Sequence, residues 1–357
     1  MSTYIVLSTG GTGGHVYPAL SLAAELKKQG FITELVTDTR GVVYQDSDYF
    51  DHVAVLNLPK ARNVLGKIKQ AFYILLQALN LALKFVRNRP SMVIGFGGYT
   101  SAPVILAAIL LRIPTIIHEQ NAVLGRVNRL MGLFARKIAL GMPVTRYAKG
   151  EKTVFVGNPV RQVIVEAHKK TSSSEKIHLF VFGGSQGADL FGRVVPDAIA
   201  LLPTTMQERL LIVHQGRDEI RDSILTAYDR TKVRVESLQP FFSDMPNRLA
   251  EADLIICRAG AMTVTEISVV GGTAIFIPLK IAMDNHQYWN VKPLVDADAA
   301  EMILETELTS QALADKLKEL IESAELRQTR ADKIRQFSVP NSVEKFIDLI
   351  KTELKGI

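Results

Sequence analysis

The chain has 357 residues, enough for two domains of ordinary size, and its 47% hydrophobic and 22% charged residues exclude a disordered chain. Its single cysteine, Cys257, excludes a disulfide framework and a multi-thiolate metal site, and at the end of the apolar run 254–256 it reads as a buried structural thiol. The net charge of +6 is uneven: residues 1–156 carry 18 basic against 8 acidic side chains, a balance of +10, which leaves −4 for 157–357. That asymmetry suggests either a domain that meets a polyanionic surface, anionic lipid or nucleic acid, or a plain solubilising bias.

Along the chain, short apolar β-prone runs alternate with longer helical patterns. Residues 4–7, 33–36, 92–94, 115–117 and 154–156 read as buried strands of a parallel sheet. The first run is too short for a secretory signal and leads straight into a glycine loop. Residues 16–29 follow with helical spacing and stop at Gly30. The longest uncharged apolar run, 102–111, is about half of what a membrane span requires, so the expectation is a cytoplasmic chain that does not cross a membrane. After a Lys/Ser/Thr-rich stretch at 167–175, taken as a linker or exposed loop, a second set of strands begins: 177–182, 210–213, 233–236, 254–257 and 274–277.

Both sets open alike. The first strand leads into Gly10-Gly11-Thr12-Gly13-Gly14 and the sixth into Gly183-Gly184-Ser185-Gln186-Gly187, each followed by a helix-like segment. The fold class expected is therefore α/β, two Rossmann-like doubly wound parallel-sheet domains in tandem, facing across a cleft. They divide near Gly157-Asn158-Pro159 into 1–158 and 159–340, with an amphipathic C-terminal helix at 341–357 packing back on the first. Ligands of such sheets bind at the carboxyl ends of the strands.

Glycine-rich strand-to-helix turns admit a ligand close to the backbone, and a helix N-terminus offers N–H groups to an anion. Two further turns of this kind follow strands: Gly95-Phe96-Gly97-Gly98-Tyr99-Thr100-Ser101 and Arg258-Ala259-Gly260-Ala261-Met262-Thr263. A dinucleotide site is the obvious competitor, but the third glycine of G-x-G-x-x-G is missing, Val16 standing in its place. Asp38 falls near the position of a ribose-binding acid, yet it also ends a strand, where Asp is common in turns. His15, just after the first loop, is expected to stay neutral at a helix N-terminus and to serve as a base or hydrogen-bond partner, or else as a packing residue. His118-Glu119-Gln120-Asn121 clusters polar groups at a strand end, as a loop or a site. Glu266, one turn inside a phosphate-binding helix, could accept ribose hydroxyls or be a surface carboxylate. Asp284-Asn285-His286-Gln287 offers amide and hydroxyl-recognising groups suited to a sugar. No metal-ligand spacing is visible.

Taken together, Gly10–Pro18, Gly97-Gly98-Tyr99-x-Ser101, His118–Asn121, Gly157-Asn158-Pro159-Val160-Arg161, Gly183–Ala188, Arg258-x-Gly260-Ala261-x-Thr263-x-x-Glu266 and Asp284-x-x-Gln287-x-x-Asn290 resemble the MurG family, in the order that family has them. The resemblance implies a GT-B fold and an inverting hexosyltransferase. The reaction it implies moves GlcNAc from UDP-GlcNAc to O4 of MurNAc-pentapeptide-pyrophosphoryl-undecaprenol, lipid I to lipid II, in peptidoglycan synthesis. The UDP-GlcNAc contacts carried over are Thr12, Gly13, Gly14, Asn121, Arg161, Ser185, Phe242, Ala261, Met262, Thr263, Val264, Thr265, Glu266 and Gln287. Phe242 departs from the family, which often has an aliphatic residue there; a backbone contact would make the change harmless. His15 is the expected base and Glu119 the second candidate, while Gly98, Tyr99, Ser101 and His118 are expected on the acceptor side. No cofactor and no metal site are implied, although assistance by a divalent cation is left open.

Residues 64–86 have helical spacing and are apolar nearly all round, with only Gln77, Asn80 and Lys84 polar after Ala71. One stripe must face the core, which accounts for about half of these residues. The remainder, with Leu65, Lys69, Phe72, Tyr73, Leu76 and Leu79 at its centre and Arg62, Lys67, Arg87 and Arg89 nearby, fits a patch that dips into an anionic bilayer. Nucleic acid would want aromatic or arginine stacking groups among the basic residues, and the neighbours here are aliphatic. The partners expected are thus UDP-GlcNAc, the lipid-linked acceptor, an anionic membrane surface at its cytoplasmic face and other cell-wall enzymes. Alternative readings are a UDP-sugar transferase acting on another lipid such as diacylglycerol, a UDP-GlcNAc 2-epimerase, and a non-catalytic membrane scaffold.

Overall fold

A computed structural model of the chain describes residues 3–11, 13–45, 47–59, 63–167, 175–184 and 189–356. It divides into two compact units, Met1–Arg161 with Val339–Ile357, and Gln162–Ser338.

In the first unit, β1 (Tyr4–Ser8), α1 (Gly13–Lys28), β2 (Ile32–Asp38), β3 (His52–Leu56), α2 (Val64–Arg87), β4 (Met92–Gly95), α3 (Ser101–Leu110), β5 (Thr115–Glu119), α4 (Arg126–Gly132), β6 (Lys137–Leu140) and β7 (Thr153–Phe155) follow one another. The seven strands pair in parallel in the order β3-β2-β1-β4-β5-β6-β7. Helices on both faces bury the central strands completely, so Ile5, Val6, Leu7, Val93 and Ile94 are inaccessible to water and need no polar alternation. Strands β3 and β6 are additional to those expected: β3 pairs only at the edge, and β6 spans just Lys137–Leu140. Gly30, at φ +81°, ends α1 as anticipated; the N–H of Phe31 reaches the Leu26 carbonyl and that of Gly30 the Lys27 carbonyl, an arrangement needing a left-handed residue at that point.

The C-terminal helix Ser342–Lys355 belongs to this unit. Its Phe346, Ile347 and Ile350 join one core with Ile5, Leu7, Leu22 and Leu26 on the α1 side of the sheet. On the other side α2 packs on α3, burying Ala78, Leu81 and Phe85. Lys84 of α2 pairs with the buried Glu34 of β2, which also accepts from the Tyr4 hydroxyl.

The second unit repeats the plan with β8 (Ile177–Phe182), β9 (Leu210–Gln215), β10 (Arg234–Gln239), β11 (Leu254–Cys257), β12 (Ala274–Phe276) and β13 (Glu301–Met302), all parallel, in the order β10-β9-β8-β11-β12-β13. Cys257 is buried at the end of β11. Burial alone pushes its thiol well up, as expected of an inert structural cysteine. Both sheets thus have the 3-2-1-4-5 strand order of doubly wound α/β domains, in which strand order reverses beside the first strand. In the first unit that reversal lies between β1 and β4, in the second between β8 and β11. No helix among the described residues is long and apolar enough to cross a membrane.

Candidate functional site

At the carboxyl edge of the first sheet the reversal point is framed by two glycine loops. Gly10 and Gly11 connect β1 to α1, and Gly97 and Gly98, at φ +86° and +77°, follow β4. Thr12 lies outside the described residues. A Cβ on Gly14 would meet nothing within 4 Å, so the first turn of α1 has an open approach. His15 stands in that turn, half-buried, with its Cδ2 and Nε2 only 3.4 and 3.5 Å from where a Cβ on Gly97 would be. What favours glycine at 97 is its positive φ and Asn128, whose Nδ2 would lie 3.2 Å from a Cβ there. Ser101 holds the second loop down, its hydroxyl within 2.7 Å of the Gly97 carbonyl and 2.9 Å of the Ser8 carbonyl. Tyr99 is half-buried beside Gly98, its phenol pushed up by burial and by the Asp38 carboxylate.

The segment 118–121 at the end of β5 divides its work. His118 is fully buried, with Phe96 and Phe346 at ring-centroid distances of 5.5 and 5.3 Å. Its Nε2 lies 3.2 Å from the Gly157 carbonyl, and its Nδ1 lies 3.0 Å from the Gln120 Nε2. A carbonyl only accepts and an amide N–H only donates, so these partners assign a neutral ring protonated on Nε2. Burial pushes its pKa down to about 4. His118 is therefore a buried connector rather than a group exposed to an acceptor. Glu119 is 3% exposed and saturated: Oε1 accepts from the Asn121 N–H and Nδ2 at 3.0 and 3.1 Å, Oε2 from the Gly125 N–H and Asn128 Nδ2, both at 2.8 Å. That geometry fixes the loop carrying Asn121. Asn128, nine residues on, took no part in the motif reading and is one of the residues organising the site. Arg161 lies over the Tyr17 ring at 4.7 Å, its charge held beside the first turns of α1.

In the second unit the loop after β8 begins with Gly183 and Gly184; Ser185, like Gln186, Gly187 and Ala188, lies outside the described residues. Gln215, at the end of β9, clamps the loop: Oε1 accepts the Gly183 N–H at 3.0 Å, and Nε2 donates to the Gly184 and Pro240 carbonyls at 3.1 and 3.0 Å. The sequence offered no signal for it, because its partners lie 25 to 32 residues away. Phe242 is 2% exposed, its ring packed edge-on against Phe180 at 5.4 Å. Its side chain is core, so only its backbone can face a ligand.

The helix Ala261–Val270 starts at Gly260 with no side-chain cap, which leaves the N–H groups of Ala261, Met262 and Thr263 for an anion. Thr265 returns its hydroxyl to the Ala261 carbonyl, Val264 is buried, and Glu266 is 8% exposed one turn in. Gln287 sits beside this turn. Its Oε1 accepts the Ala259 and Leu279 N–H groups at 3.2 and 2.9 Å, while its Nε2 donates to nothing among the described residues. An amide held by its oxygen and presenting its N–H groups suits a sugar hydroxyl or phosphate. Arg258, by contrast, is structural, donating to Glu305 at 2.6 Å and to the Ile277 carbonyl at 3.2 Å.

Two parallel-sheet α/β units, each with glycine turns and an anion-ready helix start at its reversal point, define a GT-B glycosyltransferase architecture. Residues 5–140 match the glycosyltransferase family 28 N-terminal domain and residues 178–346 the family 28 C-terminal domain. The UDP-N-acetylglucosamine–N-acetylmuramyl-(pentapeptide) pyrophosphoryl-undecaprenol N-acetylglucosamine transferase of Brucella suis biovar 1 (strain 1330) is 37% identical, across 99% of this chain and 94% of that one. The crystal structure of MurG from Acinetobacter baumannii superposes with a TM-score of 0.81 at 29% identity, covering 98% of this chain and 99% of that one. The chain belongs to the MurG family of glycosyltransferase family 28. A UDP-N-acetylglucosamine 2-epimerase structure also superposes, with a TM-score of 0.68 over 98% and 96% of the two chains, but at 15% identity that likeness concerns the fold alone.

Proposed function

We propose that this chain is the N-acetylglucosaminyltransferase that converts lipid I to lipid II in peptidoglycan synthesis, taking GlcNAc from UDP-GlcNAc. The observation carrying this reading is 37% identity over 99% of the chain with transferases named for that donor and acceptor. The second unit would hold the donor, with its diphosphate at the uncapped start of Ala261–Val270, Glu266 near the ribose, and the Gln287 Nε2 on phosphate or sugar. In the reaction O4 of the acceptor attacks C1 of GlcNAc, the C1–O bond to UDP breaks, and the hydroxyl proton passes to a base. Attack opposite the leaving group inverts C1 and gives a β-1,4 linkage. Departing charge is met by backbone N–H groups.

His15 is the base in this proposal. Its support is a half-buried imidazole in an open helix turn, packed against a loop that has no side chain to block it. The saturation of Glu119 argues for a positioning role there. Gly98 and Tyr99 border the same edge and would receive the acceptor; Ser101, expected there too, is fully buried and serves by holding the loop.

We further propose that α2 is the membrane-facing element, at the cytoplasmic face where a soluble nucleotide sugar is at hand. Val64, Leu65, Ile68, Phe72, Leu75, Leu76, Leu79, Leu83 and Val86 are exposed along it, whereas Tyr73 is half-buried against the core. Lys67 and Lys69 near one end and Arg87 and Arg89 at the other supply the basic rim; Arg62 lies outside the described residues.

The test is UDP release from UDP-GlcNAc with and without a short-chain analogue of the acceptor. Release that depends on the analogue, with a disaccharide product, is expected. Binding of UDP-GlcNAc without release would transfer the reading to another lipid acceptor or to a scaffold.

A further inference from the structure

One ion pair at the carboxyl edge of the first sheet has no part in the reaction as described. Asp38, 4% exposed at the end of β2, accepts from the Gly11 N–H, from the Thr100 hydroxyl at 3.3 Å, and from the Arg40 N–H, Nε and Nη2 at 3.0, 3.1 and 2.5 Å. Burial alone would raise the Asp38 carboxyl, but the Arg40 and Gly11 hydrogen bonds hold it below its usual range. The guanidinium is thus gripped along its Nε–Nη2 edge. Its opposite edge, Nη1 and the outer Nη2 hydrogen, meets no acceptor among the described residues, and the side chain is 40% exposed.

The surroundings are cleared for something to reach that edge. A Cβ on Gly10 would sit 3.6 Å from Arg40 Nη2, so the first glycine loop borders the guanidinium without a side chain, and a Cβ on Gly98 of the second loop would lie 3.9 Å from the Gly10 nitrogen. The Tyr99 side chain lies near Arg40 and is half-buried at the same edge. We propose that the free edge of Arg40 binds the diphosphate of the lipid-linked acceptor; this rests on the transferase reading above. A planar fork matches two phosphate oxygens at once, which an ammonium does not. Asp38 fixes the fork before the substrate arrives, so little side-chain freedom is lost on binding, and it neutralises the charge while the site is empty. Asp38 is the positioning residue and Arg40 the contact.

The peptide of the acceptor ends in a carboxylate, which shares this chemistry, and the experiment separates the two. Transfer is measured for wild type, Arg40→Ala, Arg40→Gln and Arg40→Lys on three short-chain acceptors: the diphosphate, its monophosphate counterpart, and the diphosphate with the peptide carboxyl amidated. Arg40→Gln retains a donor for Asp38 and guards against simple misfolding. On both diphosphate acceptors, Arg40→Ala and Arg40→Gln are expected to raise acceptor KM about 10- to 100-fold, the size of a lost charge-assisted pair, with KM for UDP-GlcNAc unchanged. Arg40→Lys recovers part of the loss, and on the monophosphate the penalty shrinks to about twofold. An unchanged acceptor KM in both variants, or a penalty that disappears on amidation, overturns the proposal. Calorimetric titration with geranyl diphosphate reads the site without turnover: wild type binds and Arg40→Ala binds at least about tenfold more weakly, and equal affinities overturn the proposal. Wild type that binds the diphosphate but transfers no sugar counts against the transferase reading and leaves Arg40 in place.

Discussion

His118 Nε2 lies 3.2 Å from the carbonyl of Gly157, joining the end of β5 to the segment where the chain leaves the first unit. Gly157, at φ +84°, has Val339 and Ser342 against the space a Cβ would take, and Ser342 donates at 2.7 Å to the neighbouring Asn158 carbonyl. Four stretches of sequence, at 96, 118, 157 and 342–346, therefore converge around one buried imidazole.

That imidazole makes stability depend on pH. Burial lowers its folded pKa to about 4, against an unfolded value of 6.5, so the unfolded chain binds the proton more tightly and acid favours unfolding. The contribution is intact above about pH 6.5 and is lost as pH falls toward 4, about 3 kcal/mol in all. His214 in the second unit, pushed down to about 3 by burial alone, acts in the same direction. Urea titrations at pH 7, 6 and 5 are expected to show falling stability in wild type and a shallower fall in His118→Gln. A flat profile in wild type would contradict this account.

If His15 takes the acceptor proton, His15→Ala lowers kcat by about 100-fold or more while KM for UDP-GlcNAc moves by less than about threefold. Steady-state kinetics on the short-chain acceptor decide it, and near-normal turnover removes the assignment.

Gln287 has two separable tasks. Gln287→Ala removes the acceptor for the Ala259 and Leu279 N–H groups and is expected to cost about 1–3 kcal/mol of stability. Gln287→Glu keeps that oxygen and replaces the amide N–H groups with charge. The melting temperature should hold while KM for UDP-GlcNAc rises about 10- to 100-fold. Parallel thermal melts and donor titrations distinguish the two, and a Gln287→Glu enzyme with normal donor KM would exclude Gln287 from the donor site.

The apolar ridge of α2 predicts a loss of binding without a loss of folding. Phe72→Gln with Leu76→Gln and Leu79→Gln removes side chains that are already exposed, so each change should stay within about 0.5 kcal/mol in stability. Co-sedimentation with vesicles containing anionic lipid should fall at least about tenfold. Undiminished sedimentation would move the membrane contact elsewhere.

The central strands β1, β4, β8 and β11 were legible because each is a largely apolar run that leads within a few residues into a glycine-rich turn. What escaped was set by distance in sequence. Strand β3 pairs only at the sheet edge, and β13 is two residues long. The H-E-Q-N segment announced a site but not its division of labour. His118 is buried partly by Phe346, 228 residues downstream, and Glu119 is saturated partly by Asn128. Asp38 looked like a turn residue or a ribose acid because its partners Gly11 and Thr100 are distant in sequence. The α2 pattern was read as a helix with half its apolar residues in the core; just Ala78, Leu81 and Phe85 are fully buried there.

The C-terminal helix imposes an order on synthesis. Phe346 and Ile350 complete the core begun by Ile5 and Leu22, so the unit made first is the one finished last. A nascent chain carries α1 with an uncovered apolar face while the whole second unit is being translated. A protease that removes this helix then damages a domain whose strands all precede the second unit in the chain.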